Sequence, residues 1–416
     1  MKRYADKICK GLLFFPALWS WPLPGGCDAI DQQLERNMHV FAHGPSKPGN
    51  SGQTLAYERG VGVQAQMVVF DRMGHAYSPQ RVALGPLPPP QAAAEPPLTE
   101  YPRHPKPPKP SWELDYSFTS GYREDRLNWN IAAPNYYPWF GHPNVLSELK
   151  WENIQSAQIA GKAEITSPGG WHFQGKVNYG FITAGKQQDS DYQGDNRTLE
   201  YSRSNNSADG GHMLDASIGT GYRFAMRDKE GNVQLGATPL VGYSYNEQYL
   251  TGTNLLQTVS VPSIFWCDNS QSTTPCNGPA LRPYPGLDER YTVQWHGPWL
   301  GFRLTAQPLD WMELFTQYEY HWVNYYGKGT WNLRPEYAQP YSFKHYADGG
   351  GMTVSAGLRF KLTPAWAFDL DANYSEMTTN SGTDNTYWSA GYVTSQKFNR
   401  AVWESYGANA GIRYRF

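Results

Sequence analysis

From Trp112 to the end of the chain, apolar and polar residues alternate in long segments, and this pattern leaves few possible folds. Because side chains on a strand point to opposite sides in turn, long alternation predicts β-strands with one apolar face. The final segment, Y-G-A-N-A-G-I-R-Y-R-F, places six residues on one such face: Tyr406, Ala408, Ala410, Ile412, Tyr414 and Phe416. The pattern recurs in segments that begin near 171, 214, 312 and 366, so the sequence predicts an all-β fold.

Composition and charge narrow the class of protein only in part. The formal net charge of −2 gives no field that would recruit nucleic acid. After the N-terminus the chain has no run of about 18 apolar residues, which excludes a helical membrane protein. The 29 Tyr, 16 Trp and 41 Gly fit a membrane β-barrel, whose apolar residues are spread along alternating strands, but they also fit a soluble all-β protein.

The connections between the strands favour the membrane barrel. The alternation predicts ten strands, near residues 112–131, 146–165, 171–187, 210–226, 232–250, 287–306, 310–326, 348–362, 366–380 and 402–416. Four connections are tight, near 168, 230, 308 and 363, and they alternate with five long ones. Short turns on one rim and long loops on the other are typical of a ten-stranded antiparallel outer-membrane barrel. A last strand that stops on an aromatic residue also resembles the C-terminal recognition signal of such barrels in Gram-negative bacteria.

The first 110 residues have a different composition. Residues 1–26 are predicted to be a signal peptide, because basic residues precede an apolar stretch too short to span a bilayer. Residues 27–110 are predicted to be a mostly disordered periplasmic extension, with Cys27 as a possible lipid attachment point. Residues 86–110 contain eleven prolines, which favour polyproline II. This segment is either a ligand for a periplasmic protein or a spacer that reaches roughly 75 Å. The barrel itself occupies residues 111–416.

The stretch D-S-D-Y-Q-G-D-N, residues 189–196, falls in the second long loop on the predicted outer rim. Asp189 and Asp191 could work as a carboxylate pair on a substrate. With Asp195 they could instead hold Ca²⁺, because hard cations take clustered oxygen ligands on a turn. A third interpretation is a solvated turn with Gly194 at its tip. The residues assigned to a cation or ligand loop are Asp195, Asn196, Ser202 and Arg203.

Residues 111–416 resemble the omptin family of outer-membrane proteases, which are ten-stranded barrels with five long outer loops. The resemblance lies in the spacing and place of Asp189 and Asp191, in Ser202 and Arg203, and in the stretch L-D-E-R-Y-T-V-Q-W-H-G-P-W-L-G-F-R-L with the strand after it. In omptins the Asp pair faces a His-Asp dyad from the fourth loop, and together they are thought to activate a water that cleaves between basic residues. The resemblance implies that Asp189 and Asp191 are catalytic.

The His-Asp dyad is missing from its expected place. Counting from Trp322, the Asp of the family falls at Gly329 and the His at Trp331. Neither His321 nor His345 has the required spacing. Because hydrolysis by an activated water needs a base near neutral pH, a role suited to His, the enzyme assignment stays open.

Three functions remain. The first is an omptin-like surface protein that binds a peptide or protein through its extracellular loops without cleaving it. The second is an active aspartyl-type endopeptidase with a relocated base. The third is a structural barrel that anchors a periplasmic partner through residues 86–110. No cofactor other than Ca²⁺ is expected.

Outer-membrane lipid and lipopolysaccharide are the other expected partners. The omptin pattern for lipopolysaccharide starts here at Tyr243 but lacks its Arg. Export to an oxidising compartment predicts a disulfide between Cys267 and Cys276. Bulky and charged side chains are expected to form ion pairs in a narrow lumen, which makes a free diffusion pore unfavourable: Lys176, Arg223, Glu319, Arg359, Asp369, Asp371 and Arg413.

Overall fold

The computed structural model describes residues 111–134, 142–228, 233–267 and 274–416. The predicted signal peptide at 1–26 and the predicted extension at 27–110, with its proline-rich segment, lie outside the described residues. Within the described part, no helix is both long and apolar enough to cross a bilayer.

One antiparallel sheet of fourteen strands makes up the described part of the chain. The strands are β1 (Glu113–Ile131), β2 (Ser147–Thr166), β3 (Trp171–Gly194), β4 (Thr198–Ser207), β5 (Gly211–Tyr222), β6 (Phe224–Arg227), β7 (Val233–Ser260), β8 (Pro283–Tyr284), β9 (Glu289–Leu309), β10 (Met312–Thr330), β11 (Phe343–Lys361), β12 (Trp366–Thr379), β13 (Gly382–Tyr387) and β14 (Val393–Arg415). Two short 3-10 helices, Asp195–Arg197 and Ile264–Trp266, lie in the long connections.

The sheet closes into a barrel because β1 and β14 pair along almost their whole length. β4 and β5 lie end to end and together fill one position of the barrel wall, because each pairs with β3 on one side and with β7 on the other. In the same way β13 continues the line of β12 between β11 and β14. The ring therefore has ten wall positions, which confirms the predicted ten-stranded antiparallel barrel.

The strands reach further toward the rim with the long loops, the outer rim, than the alternation predicts. β3 runs to Gly194 instead of residue 187, and β7 runs to Ser260 instead of residue 250. Asp189 and Asp191 therefore lie within β3, where they pair with β2 and β4. The prediction that they lie in a loop is wrong, because pairing with two neighbours extends the strand.

Two belts of exposed aromatic side chains surround the barrel. The belt near the short turns contains Trp171, Tyr222, Phe224, Trp311, Trp366 and Phe416, and the outer belt contains Tyr122, Phe181, Tyr243, Tyr320, Trp322 and Tyr406. Outward-facing side chains between the belts are mostly apolar. An apolar band between two aromatic girdles is the surface that an outer-membrane barrel presents to lipid.

The strands exchange their polar and apolar faces at the outer belt. On β10, Trp322 is exposed on the outside and His321 is buried in the lumen. Further along the same strand Tyr325 is buried inside, while Asn324 and Lys328 face outward. The wall above the outer belt is thus polar outside and apolar inside, as in a protein surrounded by water.

The outer half of the lumen is a continuous hydrophobic core in which side chains from opposite walls meet. The ring of Trp151 on β2 stacks on Tyr291 of β9 with centroids 5.2 Å apart, and Trp403 on β14 lies 6.1 Å from Trp295 on β9. We refer to its rings as the aromatic layer: Trp129, Trp151, Tyr291, Trp295, Tyr325, Phe343, Phe398 and Trp403. This layer fills the lumen above the outer belt.

The periplasmic half of the lumen is crossed by ion pairs. Glu164 on β2 accepts hydrogen bonds from Arg303 on β9 at 2.8 Å and from Arg413 on β14 at 2.5 Å. Asp369 on β12 pairs with Arg359 and Arg413, each at 2.9 Å. Bonds across the lumen between buried, mutually paired charges hold the walls together where lipid surrounds the barrel.

A polar cavity of about 160 Å³ lies in the lumen between the aromatic layer and these ion pairs. Of the other residues predicted to line the lumen, Arg223 forms an ion pair and Asp371 accepts a hydrogen bond. Glu319 lies 3.1 Å from a histidine. Lys176 has no ion-pair partner in the described parts of the chain, so the predicted internal salt bridges form in part.

Candidate functional site

The carboxyls of Asp189 and Asp191 face the mouth of the barrel above the aromatic layer. Both residues share the inward face of β3 with Gln187, whose side chain is buried. In the strand pairing, Asp191 lies opposite Ser147 on β2 and Ser202 on β4. The two aspartates are partly buried, and Oδ1 of Asp189 has no hydrogen-bond partner among the described residues. A buried carboxyl oxygen without a partner is a position that a ligand group could fill.

Burial raises the pKa of both carboxyls. The pKa of Asp189 lies well above its ordinary value because of burial and, next, because of the charges of Asp191 and Glu289. Burial also dominates for Asp191, whose pKa is raised although Arg334 and two serine hydroxyls oppose the rise. Because the charge of Asp191 contributes to the rise at Asp189, the two carboxyls titrate as a pair.

Glu289, the first residue of β9, adds a third carboxyl to the same cleft. Burial raises the pKa of Glu289 to about 7, against a hydrogen bond from Gln187 and the charge of Arg334. Arg334 is half-exposed and is shared with Glu336 and Tyr337 in the connection between β10 and β11. Glu289 and Arg334 could not be selected from the sequence, although Glu289 stands in the quoted stretch L-D-E-R, because their roles depend on contacts across the barrel.

The wall opposite the aspartates carries aromatic rings where the family resemblance calls for a His-Asp dyad. The Trp331 side chain opposes the rise in the pKa of Asp189, so this position does face the pair. A side chain added at Gly329 would collide with the ring of Phe343. Phe343 and Trp331 pack edge to face with centroids 4.6 Å apart. The dyad is therefore replaced by a packed apolar wall with one N–H donor.

His345, considered from the sequence as a substitute base, lies beneath this wall. Its Nδ1 is 2.9 Å from the Tyr291 hydroxyl, and its Nε2 is 3.1 Å from Oδ1 of Asp384. The imidazole is fully buried and packs against the ring of Phe343, 4.9 Å away. A His-Asp pair thus exists in the barrel, but the rings of Phe343 and Trp331 separate it from the aspartates. Asp384 could not be found by spacing because it enters from β13.

The 3-10 helix after β3, which contains Asp195 and Asn196, does not join the aspartate pair. Oδ1 of Asp195 accepts the backbone N–H of Asn144 at 2.9 Å, and Asn196 bonds to the side chain of the same residue at 3.0 Å. In the portions of the chain that the structure describes, no group of three or more His, Cys, Asp or Glu could hold a metal ion. The three aspartates of the Ca²⁺ interpretation are therefore not brought together.

Ser202 and Arg203 lie on β4 and behave differently. Ser202 lies opposite Asp191 in the strand pairing, and its hydroxyl opposes the rise in the pKa of that carboxyl, so Ser202 belongs to the cleft. The Arg203 guanidinium pairs with Glu200 at 2.6 Å instead. Only Ser202 therefore supports the aspartates directly.

The disulfide predicted between Cys267 and Cys276 is present. The connection that contains it packs on β4, where Phe265 stacks on Tyr201 with centroids 5.3 Å apart. The Ser263 hydroxyl in this connection also donates to the side chain of Gln193 on β3 at 3.0 Å. This outer loop therefore forms a fixed flank of the cleft.

Comparison with known proteins places the fold among bacterial outer-membrane barrels. The outer membrane protease OmpT from Escherichia coli has a TM-score of 0.54 at 12% identity, over 73% of this chain and 97% of that chain. OprG from Pseudomonas aeruginosa has a TM-score of 0.27 at 11% identity, over 73% and 95% of the two chains. Ail from Yersinia pestis has a TM-score of 0.21 at 8% identity, over 72% and 98%. At this identity the likeness to OmpT shows the barrel fold alone.

Comparison of sequences gives a more specific result. No curated protein matches the chain. The family model described as Protochlamydia outer membrane protein matches residues 117–416, which is the whole barrel apart from the start of β1. The apolar band, the two aromatic belts and this match agree on a bacterial outer-membrane location. The chain belongs to the Protochlamydia outer membrane protein family.

Proposed function

We propose that the protein is a sealed outer-membrane barrel that binds a cationic group of a peptide or protein ligand in its outer cleft without cleaving the ligand. The observation that carries this proposal is the wall opposite the aspartates. Trp331 and Phe343 fill the place from which a general base would act, and an indole N–H cannot accept a proton from water.

The preference for a cation follows from the charges in the cleft. Asp189, Asp191 and Glu289 all have a raised pKa because of burial, with mutual repulsion adding to the rise for Asp189. An ammonium or guanidinium group between them would relieve that repulsion and supply a partner for the free Oδ1 of Asp189. Arg334 offsets this charge only in part because it is shared with Glu336.

Binding at the surface fits the barrel better than transport through it. The aromatic layer fills the lumen directly below the cleft, with Trp295 and Tyr291 fully buried. The ion pairs of Glu164 cross the lumen again near the periplasmic rim. A solute in the cleft would have to displace both layers to reach the periplasm.

An endopeptidase is the second candidate, and one observation favours it. Two carboxyls that share a proton can activate a water without a histidine, and Asp189 and Asp191 both have a raised pKa. Such a site works best under acidic conditions, where one carboxyl is protonated.

The test uses the refolded full chain without its signal peptide, in micelles that contain lipopolysaccharide. Binding of a labelled Arg-Arg peptide is followed by fluorescence anisotropy, and its cleavage by mass spectrometry, from pH 5 to 8. We expect binding without cleavage, and loss of binding in the double variant Asp189→Asn/Asp191→Asn. The matched control, Asp209→Asn/Asp288→Asn, removes two exposed charges from the same rim and should bind normally. Cleavage that disappears in the first variant would establish the endopeptidase instead.

A structural role through the proline-rich segment is a separate proposal that rests on composition. Eleven prolines between residues 86 and 110 would present a stiff, extended ligand to a periplasmic protein. Deletion of residues 28–110 should abolish co-purification of such a partner and leave peptide binding in the cleft unchanged. Co-purification that survives the deletion would contradict this role.

A further inference from the structure

A second surface lies on the outside of the barrel wall, above the outer aromatic belt, and faces away from the cleft. It is formed by outward-facing residues of β10, β11 and β13 and by the connection before β11. We call it the Tyr/Lys face, and it consists of Tyr326, Lys328, Tyr341, Lys344, Tyr346 and Tyr387. The proposed function in the cleft uses none of these residues.

The strand pairing places like groups side by side on the Tyr/Lys face. Lys328 lies directly opposite Lys344 in the pairing of β10 with β11, and Tyr326 lies opposite Tyr346. Like charges directly opposite each other destabilise a sheet, so the two lysines are kept together at a cost. Lys397, on the outer face of β14, adds a third cation two strands further along the sheet. At about 4.8 Å per strand the three cations span roughly 14 Å.

Tyrosine rings, and not carboxylates, neighbour the two lysines. The Nζ atoms of Lys328 and Lys344 lie 5.1 Å and 5.4 Å from the centroid of one ring, that of Tyr341. Lys344 also lies 5.2 Å from the centroid of Tyr387. In the described residues neither lysine has a carboxylate within ion-pair distance. Two ammonium groups on one ring repel each other, so an anion between them would be bound favourably.

The backbone around Tyr341 is anchored, so the face is formed in advance of binding. The Thr330 hydroxyl donates to the Pro340 carbonyl. The N–H of Ser342 donates to the Gly329 carbonyl at 2.8 Å. Preorganised side chains lose little conformational entropy when a ligand binds.

The height of the face above the membrane bears on the kind of ligand. Lys328 follows Trp322 of the outer belt by six residues on β10. At about 3.3 Å per residue and a strand tilt near 40°, this places the lysine roughly 15 Å above the belt. Lipid phosphates next to the belt are therefore too low to meet the lysines.

We propose that the Tyr/Lys face binds an anionic polysaccharide outside the cell. Sulfate or carboxylate groups of the polysaccharide would lie between Lys328 and Lys344 and at Lys397. Its sugar rings would lie on the exposed faces of the tyrosines. The row of cations across neighbouring strands suits the repeating charges of an extended polymer. A single acidic side chain of a peptide would use one lysine pair and leave the flat tyrosine surfaces uncovered.

The experiment measures binding of a sulfated heparin octasaccharide to the full chain in micelles by isothermal titration. For the variant Lys328→Gln/Lys344→Gln we expect about a tenfold or greater loss of affinity, and for Tyr341→Leu a loss of about threefold to fivefold. A control variant, Lys150→Gln/Lys186→Gln, removes two cations from β2 and β3 and should bind as the unchanged protein does. Affinity should also fall as salt is added.

Four results would overturn the proposal. The first is no binding of the octasaccharide by the unchanged protein, and the second is an equal loss of affinity in the control variant. The third is binding of an acidic peptide at least as tight as that of the octasaccharide. The fourth is a lysine-dependent interaction with lipopolysaccharide vesicles alone, which would identify the membrane's own lipid as the ligand. A heat-modifiable shift on gels, the same for every variant, shows that each has folded, so a loss reports binding.

Discussion

The periplasmic half of the lumen is held together by charged side chains, whereas the outer half is held together by aromatic ones. Both halves are built from the same strands: Arg303 and Trp295 lie eight residues apart on the inward face of β9. Arg303 reaches Glu164 on the far wall, while Trp295 packs on Tyr325 with centroids 4.6 Å apart. The chemistry of the inner surface therefore follows from what surrounds the outer surface at the same height.

The physical reason for the difference is that a membrane strand must not carry two apolar faces. Below the outer belt the outside is apolar and faces lipid, so an apolar lumen would give strands with two apolar faces that aggregate before insertion. Above the belt the outside is polar and meets water, so the inside is free to form an ordinary hydrophobic core. The barrel is thus a membrane barrel that continues into a water-exposed one.

The largest effect is expected from truncation of the outer core. Trp295→Ala should lower the free energy of unfolding by about 4 kcal/mol, because it empties a fully buried site that contacts several rings. Urea unfolding in micelles and protease resistance of the outer loops would measure it. Trp322→Ala, which removes a lipid-facing ring of the outer belt, is the matched control and should leave protease resistance intact. Equal loss in both variants would contradict a separate outer core.

Removal of a buried counter-ion should have the next largest effect. Glu164→Leu leaves Arg303 and Arg413 without their shared carboxylate, which should cost about 3 kcal/mol in the free energy of unfolding. The second change Arg303→Met should restore part of the loss, since it removes one uncompensated charge. If the double variant is no more stable than Glu164→Leu, the lumen does not depend on charge pairing.

The position of the boundary can be tested with one lysine at two sites on the outer face of β9. Leu304→Lys should cost about 2 kcal/mol because it puts a charge in lipid between the two belts. Gln294→Lys, ten residues nearer the outer rim, should change the free energy of unfolding by less than about 0.5 kcal/mol, because the side chain meets water and Glu247. Unfolding in lipid vesicles measures both, and a large cost at Gln294 would place the boundary higher.

The smallest expected effect concerns the pH dependence of the cleft. The pKa of Glu289 is raised to about 7 by burial, so its carboxyl is mostly neutral at pH 6 and mostly charged at pH 8. Binding of a cationic peptide should therefore strengthen by about tenfold between these values, and the slope should shrink in Glu289→Gln. The stability of the protein without ligand should change in the opposite sense. Between the ordinary value of 4.5 and the folded value of about 7, the folded chain holds more protons on Glu289 than the unfolded chain does, so the free energy of unfolding falls as the pH rises to 7. A peptide affinity independent of pH would contradict this assignment.

Much of the barrel was predictable because membrane strands follow one repeated rule. Period-two alternation located all ten wall positions, and the turn at Ser167 ends β2 as expected. The outer ends of β3 and β7 were missed because the apolar face changes sides there, so that the segment looks like a polar loop. A register shift in β2, with positive φ at Asn153, adds to the change.

The candidate site was less predictable than the fold. Asp189 and Asp191 could be selected from their spacing, and the position of Trp331 from a count along β10. Glu289 and Phe343 could not, because each reaches the cleft from a strand distant in sequence and carries no local motif. The disulfide could be predicted from the sequence, because its formation requires only an oxidising compartment and two cysteines close together in the chain.

The ring of Phe343 beside Gly329 also limits how this cleft could change over evolutionary time. An aspartate at 329 would have no room until Phe343 became smaller, and a smaller residue at 343 would open the core above His345. A histidine at 331 alone would lack its acidic partner. Each of these first steps loses packing or gains no chemistry, so single substitutions selected one at a time do not introduce a His-Asp dyad at positions 329 and 331.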